Sequence, residues 1–337
     1  MKKITIFTIA LLTVCSVYSG AVSTGSYKVV HKISVEGNEK WDYLFSDDQA
    51  GRLYVSHGSQ VQVIDEVSRE AVGKITGLKG VHGIAIAPGW NKGFISSGKD
   101  SSVTIFDTNT LEVIKRVVVT GISPDAILFD AFSQKVFVCN GHSNNMTVID
   151  AATNEIVSTI ALTGNPEFSV TNGKGMIYIN LESASSIAVI NASTFEVVNV
   201  WPIAPGAEPT GLALDNETHR LFCACTNKLM MVVDAETGKV ISGLPIGDKT
   251  DGAGFDPFLK CAYSSNGDET MTVVKEDDND QYRVLENVKT QTGARTIAVN
   301  RGTHHLYLPA ADFEPATDGH KGKMIPGTFV ILEIAPE

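Results

Sequence analysis

Seven positions, spaced roughly every 40 residues, carry polar or charged side chains, and five of these could bind a cation. Four are carboxylates, one is an imidazole, one is a guanidinium and one is a hydroxyl; in chain order they are Asp42, His82, Asp125, Glu167, Thr210, Asp251 and Arg295. Glu167 and Asp251 are equivalent to the others only after a one-residue gap. Carboxylate and imidazole groups are ligands of Ca²⁺, Mg²⁺ and Zn²⁺. The predicted metal ligands are therefore Asp42, His82, Asp125, Glu167 and Asp251.

Further polar side chains lie in the loop that follows the second strand of each repeat, and we expect them beside the first set. They are His57, Asn140, His142, Asn180, Glu182, Asn227 and Asn266. Trp41 precedes Asp42 and either holds a sugar, a peptide side chain or an organic cation, or caps a channel. The predicted ligand-binding set is Trp41, Asp42, His57, His82, Asp125, Asn140, His142, Glu167, Glu182, Asp251 and Arg295. The alternative is a wet acidic rim that Arg295 partly neutralises.

The elements that must position these residues are four short strands, repeated along the chain. The third strand of each repeat ends in two apolar residues and a polar one, at 63–65, 105–107, 148–150, 189–191, 232–234 and 273–275. The second strand carries an aromatic residue, at Tyr54, Phe94, Phe137, Tyr178, Phe222, Tyr263 and Tyr307. A period near 40 residues built from four strands is typical of propeller blades. The pattern predicts an all-β, seven-bladed β-propeller of four-stranded antiparallel blades.

The seventh repeat ends without a fourth strand, and a matching strand stands at the other end of the chain. Residues 28–37 align without a gap with residues 155–164, the fourth strand of the third repeat. We expect the N-terminal strand to complete the last blade and close the ring, which leaves no open edge. The chain is then a signal peptide, residues 1–21, followed by one propeller domain, residues 22–337.

The repeat resembles a known family. Its sequence motif, Leu53-Tyr54-Val55-Ser56 followed by Val63-Ile64-Asp65, is similar to that of the YVTN-repeat β-propellers, and specifically of the exported bacterial YncE-like proteins. The resemblance covers residues 27–337 and implies a seven-bladed, WD40-like ring. It implies little chemistry, because some relatives are thought to bind DNA, others lie in surface layers, and lactonases and lyases share the architecture.

The N-terminus predicts export. Lys2 and Lys3 precede an uncharged apolar run at residues 4–17, and small residues at Ser19 and Ala21 predict cleavage after Ala21. We expect a bacterial periplasmic or secreted protein with no membrane span. The net charge of −11 becomes −13 when the two lysines leave. Such a charge disfavours nucleic-acid binding.

Three smaller features complete the prediction. The four cysteines of the mature chain, Cys139, Cys223, Cys225 and Cys261, are expected to pack as free thiols, because their strand positions place no two of them in bridging geometry. The acidic run at residues 276–280 is expected to be a solvated hairpin on the face opposite the candidate site. The insertion at residues 309–327 is either a lid over the channel mouth or a surface loop.

Two classes of function remain open. The first is a non-enzymatic periplasmic binding or scaffold protein, a monomer, whose top face and channel mouth bind a small molecule or a protein. The second is a metal-dependent hydrolase or lyase, lactonase-like, in which His82 or His142 acts as general base. A divalent cation, Ca²⁺, Mg²⁺ or Zn²⁺, is the possible cofactor. The sequence contains no phosphate-binding loop, serine-hydrolase elbow or zinc-protease motif.

Overall fold

Seven four-stranded antiparallel sheets form a ring in the computed structural model, which describes residues 26–315 and 322–337. The predicted signal peptide lies outside the described residues. Blade 1 contains Trp41–Asp47, Arg52–His57, Gln60–Asp65 and Ala71–Ile75 (β2–β5), and blade 2 contains Val81–Ala87, Lys92–Ser97, Ser102–Asp107 and Val113–Val118 (β6–β9). Blade 3 contains Pro124–Asp130, Lys135–Asn140, Asn145–Asp150 and Ile156–Ala161 (β10–β13), and blade 4 contains Pro166–Thr171, Met176–Leu181, Ser186–Asn191 and Glu196–Pro202 (β14–β17).

The remaining blades follow the same plan. Blade 5 contains Pro209–Asp215, Arg220–Cys225, Leu229–Asp234 and Val240–Pro245 (β18–β21). Blade 6 contains Thr250–Asp256, Cys261–Asn266, Asp268–Asp277 and Gln281–Thr292 (β22–β25). Blade 7 contains Ala298–Asn300, His305–Ala310 and Val330–Pro336 (β26–β28), together with Tyr27–Ser34 (β1). Single 3₁₀ turns occur at Pro88–Trp90, Gly98–Asp100 and Glu182–Ala184. The predicted seven-bladed β-propeller is confirmed.

The N-terminal strand closes the ring as predicted. β1 pairs antiparallel with β28, from Tyr27 opposite Pro336 to Ser34 opposite Val330. The first strand of each blade contacts the first strands of its neighbours, and β26 contacts β2, so the inner strands form a continuous circle. Among the described residues no helix is long and apolar enough to cross a membrane.

Packing between blades rests on the two middle strands of each sheet. The repeated aromatic residue of the second strand is almost fully buried in every blade, as Tyr54, Phe94, Phe137, Tyr178, Phe222, Tyr263 and Tyr307. Most outer strands are exposed instead, and β17 has only one partly buried residue. The four described cysteines are free and buried, which confirms that no disulfide links them.

The turn after the third strand is stabilised by the acid or amide that ends that strand. The Asp65 carboxylate, for example, accepts hydrogen bonds from the backbone N–H groups of Val67 and Ser68. The residue four positions after this acid has a positive φ in five successive blades, at Arg69, Leu111, Asn154, Phe195 and Gly238. These turns lie on the bottom face of the ring, and the loops between second and third strands lie on the top face.

Candidate functional site

The predicted site residues occupy equivalent positions at the start of the inner strands. Trp41, Val81, Pro124, Pro166, Pro209 and Thr250 pair with the last residues of the neighbouring strands, and the predicted site residue of each blade comes next in the chain. Glu167 therefore lies where the one-residue gap placed it. Arg295 lies before β26, where its carbonyl accepts a hydrogen bond from Ser265, just as the carbonyl of Asp125 accepts one from Ser96.

Three of these side chains converge on one point. The Nδ1 atom of His82 lies 2.5 Å from Oδ2 of Asp42 and 3.5 Å from Oδ1 of Asp125. The ligand atoms of Asp42, His82 and Asp125 lie within 4.8 Å of one another, which makes these residues a possible metal-binding group. Their side chains are 14%, 29% and 23% exposed, so they touch channel solvent while protein surrounds them on the other sides.

The pKa values of Asp125 and His82 are shifted from their ordinary values. Burial and the nearby Asp42 carboxylate together raise the pKa of Asp125 to about 7, against the lowering effect of His82. The Oδ1 atom of Asp125 is buried and makes no hydrogen bond. For His82, burial alone would lower the pKa, but the hydrogen bond with Asp42 and the charge of Asp125 outweigh burial and raise it. The two carboxylates therefore favour the protonated form of His82.

The other acids of the channel mouth lie outside this group of three. Burial, helped by the charges of Asp125 and Asp251, raises the pKa of Glu167 to about 9, and the Tyr43 hydroxyl donates a 3.3 Å hydrogen bond to its Oε1. Burial also raises the pKa of Asp251, to about 6, although Arg295 binds it at 2.8 Å and opposes the shift. The channel mouth therefore contains carboxyl groups whose charged forms are disfavoured, and a nearby positive charge would stabilise those charged forms.

The predicted loop residues do not all face the channel. His57 is fully buried, stacks on Phe329 at 4.3 Å between ring centroids and binds the Glu39 carbonyl through Nε2, so burial lowers its pKa. Trp41 packs on the same Phe329 ring, at 5.0 Å. His142 is exposed, at the end of a loop. None of these three side chains belongs to the cluster of ligand atoms formed by Asp42, His82 and Asp125.

The loop amides have structural partners. The Asn140 side-chain amide donates to Asn145 and Thr147, Asn180 donates to the Gly211 carbonyl, and Asn266 donates to Thr270 and Thr272. Asn227 donates to the carbonyl of Pro205. Glu182 is half-buried and accepts a hydrogen bond from Asn165. The charge of Glu182 nevertheless contributes to the raised pKa values of Glu167 and Asp251.

The insertion in blade 7 touches the top face at its described ends. Phe313 lies 6.0 Å from the ring of Trp41, and an isolated bridge joins Phe313 to Met324. Residues 316–321 lie outside the described residues, so the choice between a lid and a surface loop stays a prediction.

Sequence reasoning missed two features. Tyr43, which follows Asp42, is buried and binds Glu167 from the opposite side of the channel. The acidic run at residues 276–280 is not uniformly solvated as expected, because Glu276 is 7% exposed and packs against Thr218 of blade 5. Burial raises the pKa of Glu276 to about 7. The strand position of Glu276, directly after residues 273–275, was the available signal.

Comparison with known proteins identifies the class by fold alone. No known family model matches the chain, and no curated protein matches its sequence. Among solved structures it is similar to "Kuenenia stuttgartiensis Hydrazine Synthase", with 16% identity and a TM-score of 0.72 over 81% of this chain and 94% of that one. It is also similar to U3-55K (8% identity, TM-score 0.77, 91% of this chain and 98% of that one). The RRP9 WD40 repeats share 7% identity and a TM-score of 0.77, over 90% and 97% of the two chains.

The ring, its closure and these likenesses define a seven-bladed β-propeller. At such low identity the likeness shows the fold and nothing about function.

Proposed function

We propose that this propeller is an exported bacterial protein of the YVTN-repeat, YncE-like kind, which binds a cation or a cationic ligand at its channel mouth. The signal-peptide pattern at residues 1–21 and the repeat wording support export and kinship. A periplasmic binding or scaffold role fits a rigid ring whose wet face gathers charged side chains. The occupant that the site fits best is a divalent metal ion.

The observation that carries this proposal is the group formed by Asp42, His82 and Asp125. Three donor atoms on three adjacent blades lie within 4.8 Å, and one of them, Oδ1 of Asp125, is buried without a hydrogen-bond partner. Buried polar atoms are normally satisfied, so an unsatisfied carboxylate oxygen calls for an explanation such as an ion. One imidazole nitrogen and two carboxylate oxygens suit Zn²⁺ or Mn²⁺ better than Ca²⁺, which prefers six to eight oxygen ligands.

A metal ion would compete with a proton for the Nδ1 atom of His82, which lies between Asp42 and Asp125. The Nδ1 atom of His82 faces both carboxylates, so this same nitrogen would be the ligand and must lose its proton on binding. The nearby Glu167, Asp251 and Arg295 would remain as surrounding charges that bind the rest of the ligand or its water.

The test is metal-dependent stability of chelator-treated mature protein. A divalent ion that binds only the folded state raises the free energy of unfolding by about 2.7 kcal/mol at one hundred times its dissociation constant. We expect Zn²⁺ or Mn²⁺ to raise the melting temperature and to bind near one ion per chain in calorimetry. The Asp42→Asn, Asp125→Asn double variant should lose both effects.

The matched control is Asp278→Asn, which removes an exposed acid from the bottom face. It should leave the response to metal unchanged. If no divalent ion stabilises the protein, or if the control variant loses the response while the channel variant keeps it, the cation site is wrong.

A metal-dependent hydrolase or lyase is the second candidate, favoured by one feature of the same group. Three protein ligands leave a coordination position open, and catalytic zinc sites use such a position for water. His82 would be a ligand in this reading, which leaves the exposed His142 as the predicted base. Metal-loaded protein should then hydrolyse a lactone or an ester, and the double variant should not. Metal binding without turnover leaves the binding function alone.

A further inference from the structure

A second cavity, on the bottom face, lies between blades 4 and 5 and is separate from the channel mouth. Its volume is about 270 Å³. Tyr178 and Val189 form a buried floor, and the partly buried side chains of Met176, Leu214 and Trp201 form its walls. Small-molecule sites usually have volumes of about 300–1,000 Å³, so this cavity lies just below that range and fits only a small ligand.

The cavity exists because one side chain is missing from the repeat. The residue four positions after the polar residue that ends the third strand reaches the preceding blade in blades 1 to 4, where Arg69, for example, donates to Glu333 and Asn154 accepts from Lys92. Leu111 of blade 2 packs over Gly73 of blade 1, and Phe195 of blade 4 packs on Phe137 of blade 3 with ring centroids 6.2 Å apart. Blade 5 has Gly238 at this position, so no side chain fills the junction between blades 4 and 5.

Trp201 of blade 4 takes only part of the free space. A β-carbon on Gly238 would lie 2.2 Å from Cγ of Trp201, so the tryptophan can occupy its position only beside a glycine. The indole also stacks on Tyr178, with ring centroids 6.2 Å apart. The left-handed φ of 73° is not by itself the reason for a glycine here, since Leu111 and Phe195 adopt φ values of 63° and 61°. Gly238 thus makes room for the Trp201 indole.

Polar side chains that could still form an ion pair or hydrogen bonds surround the opening. Lys174 lines the cavity and forms no ion pair with any residue in 26–315 or 322–337. Asn199 and Asn216 also line it, and their side-chain amides make no hydrogen bond within those ranges. The acid nearest the rim, Glu236, is already paired with His219 at 2.8 Å. Lys174 is therefore left without an acidic partner at the rim, although Glu236 adds a negative charge nearby.

We propose that the blade 4–blade 5 cavity binds a small anionic amphiphile, a molecule with one aryl or branched-alkyl group and one carboxylate. The apolar group would enter between Trp201, Met176 and Leu214. The carboxylate would remain at the rim, where Lys174 supplies charge and Asn199 and Asn216 supply N–H donors.

The experiment compares three probes with the same ring and different charges: indole-3-acetate, indole-3-carboxamide and tryptamine. Calorimetry and ligand-observed NMR on the full mature protein should detect saturable binding of indole-3-acetate at millimolar concentration or below. The amide should bind more weakly and the amine most weakly. Absence of saturable binding by indole-3-acetate, or preference for tryptamine, would overturn the proposal.

Two variants locate the binding. Lys174→Gln should weaken indole-3-acetate by about two- to five-fold, the range of an exposed ion pair, and leave the amide unchanged. Lys289→Gln, which removes an exposed lysine from the outer strand of blade 6, is the matched control and should change neither. Equal effects of the two substitutions would overturn the assignment of the carboxylate to this rim.

A volume-conserving swap tests the cavity itself. The Trp201→Ala, Gly238→Phe double variant removes the clash and fills the junction with the ring that Phe195 supplies between blades 3 and 4. It should fold, as circular dichroism can verify, and should lose binding of all three probes. If a folded double variant binds indole-3-acetate as the unmodified protein does, the ligand lies elsewhere and the proposal is wrong.

Discussion

Both faces of this propeller contain buried carboxylates, but the pKa values of these carboxylates are shifted in opposite directions. On the bottom face, Glu333 is fully buried but receives hydrogen bonds from Arg69 and His305, and these outweigh burial and hold its pKa at about 2. At the channel mouth, burial and mutual repulsion raise the pKa values of Asp125 and Glu167.

The difference distinguishes carboxylates that stabilise the ring from carboxylates that destabilise it. A carboxylate with cationic partners at neighbouring strands stabilises the ring as a fixed anion. A group of carboxylates with too few partners weakens the metal-free ring and gains most from an added cation. We therefore expect substitutions on the two faces to change stability with opposite signs.

The largest expected effect is on the bottom face. Glu333→Gln leaves the Arg69 guanidinium without its buried carboxylate partner, and because the Arg69 side chain is itself 33% exposed, this loss should lower the free energy of unfolding by about 2 kcal/mol. Urea unfolding near neutral pH measures it. Glu155→Gln, which breaks the exposed pair with Lys115, is the control and should cost about 0.5 kcal/mol or less.

Acid should remove the same contribution from the unmodified protein. The folded pKa of Glu333 is depressed, so its stabilisation is complete above the unfolded value of 4.5 and is lost as the pH falls toward about 2. The difference between the unmodified protein and Glu333→Gln should therefore shrink with acid. A difference that stays constant down to low pH would contradict the charge-paired description.

At the channel mouth we expect the opposite sign. The folded pKa of Glu167 is raised from 4.5 to about 9, so the folded state binds more protons and stability falls as the pH rises between these values. Glu167→Gln removes this cost and should stabilise the protein at about pH 8 by about 1 kcal/mol or more, since one pKa unit corresponds to about 1.4 kcal/mol. Urea titrations at several pH values measure the gap, and a destabilised variant would refute the comparison.

Glu276 is the exception that sharpens the comparison, because it lies on the bottom face and has a raised pKa. Burial is the main cause, the nearby Asp215 adds to the shift, and its Oε2 has no hydrogen-bond partner. Stability should fall as the pH rises from 4.5 to about 7, and Glu276→Gln should gain about 1 kcal/mol at about pH 8 and nothing at about pH 4. Equal gains at both pH values would assign the effect to packing instead.

The smallest expected effect is at His142. Its side chain is exposed and lies outside the cluster of three, so His142→Ala should change the free energy of unfolding by less than about 0.5 kcal/mol. It should also leave metal binding intact. Calorimetric titration of the variant measures this, and loss of binding would extend the site to the top loops.

Much of the candidate site could be predicted because the repeat period fixes equivalent positions. The chain order of Asp42, His82 and Asp125 already made them neighbours in a closed ring, since consecutive blades are adjacent. The one-residue shift at Glu167 followed from the strand pattern around it. The direction of a side chain could not be read in this way, and His57 and Trp41 turned out to pack on Phe329.

The sequence by itself determined the number of blades, the strand order within each blade and the strand that closes the ring. These features follow from local alternation and from a period that repeats, and both are written in residue types. Only the tertiary structure decided which carboxylates contact an arginine or histidine side chain and which do not. The reason is that charge interactions depend on distances between blades. Tyr43 reaching Glu167 across the channel and Gly238 leaving room for Trp201 are contacts between residues distant in sequence, which no local pattern encodes.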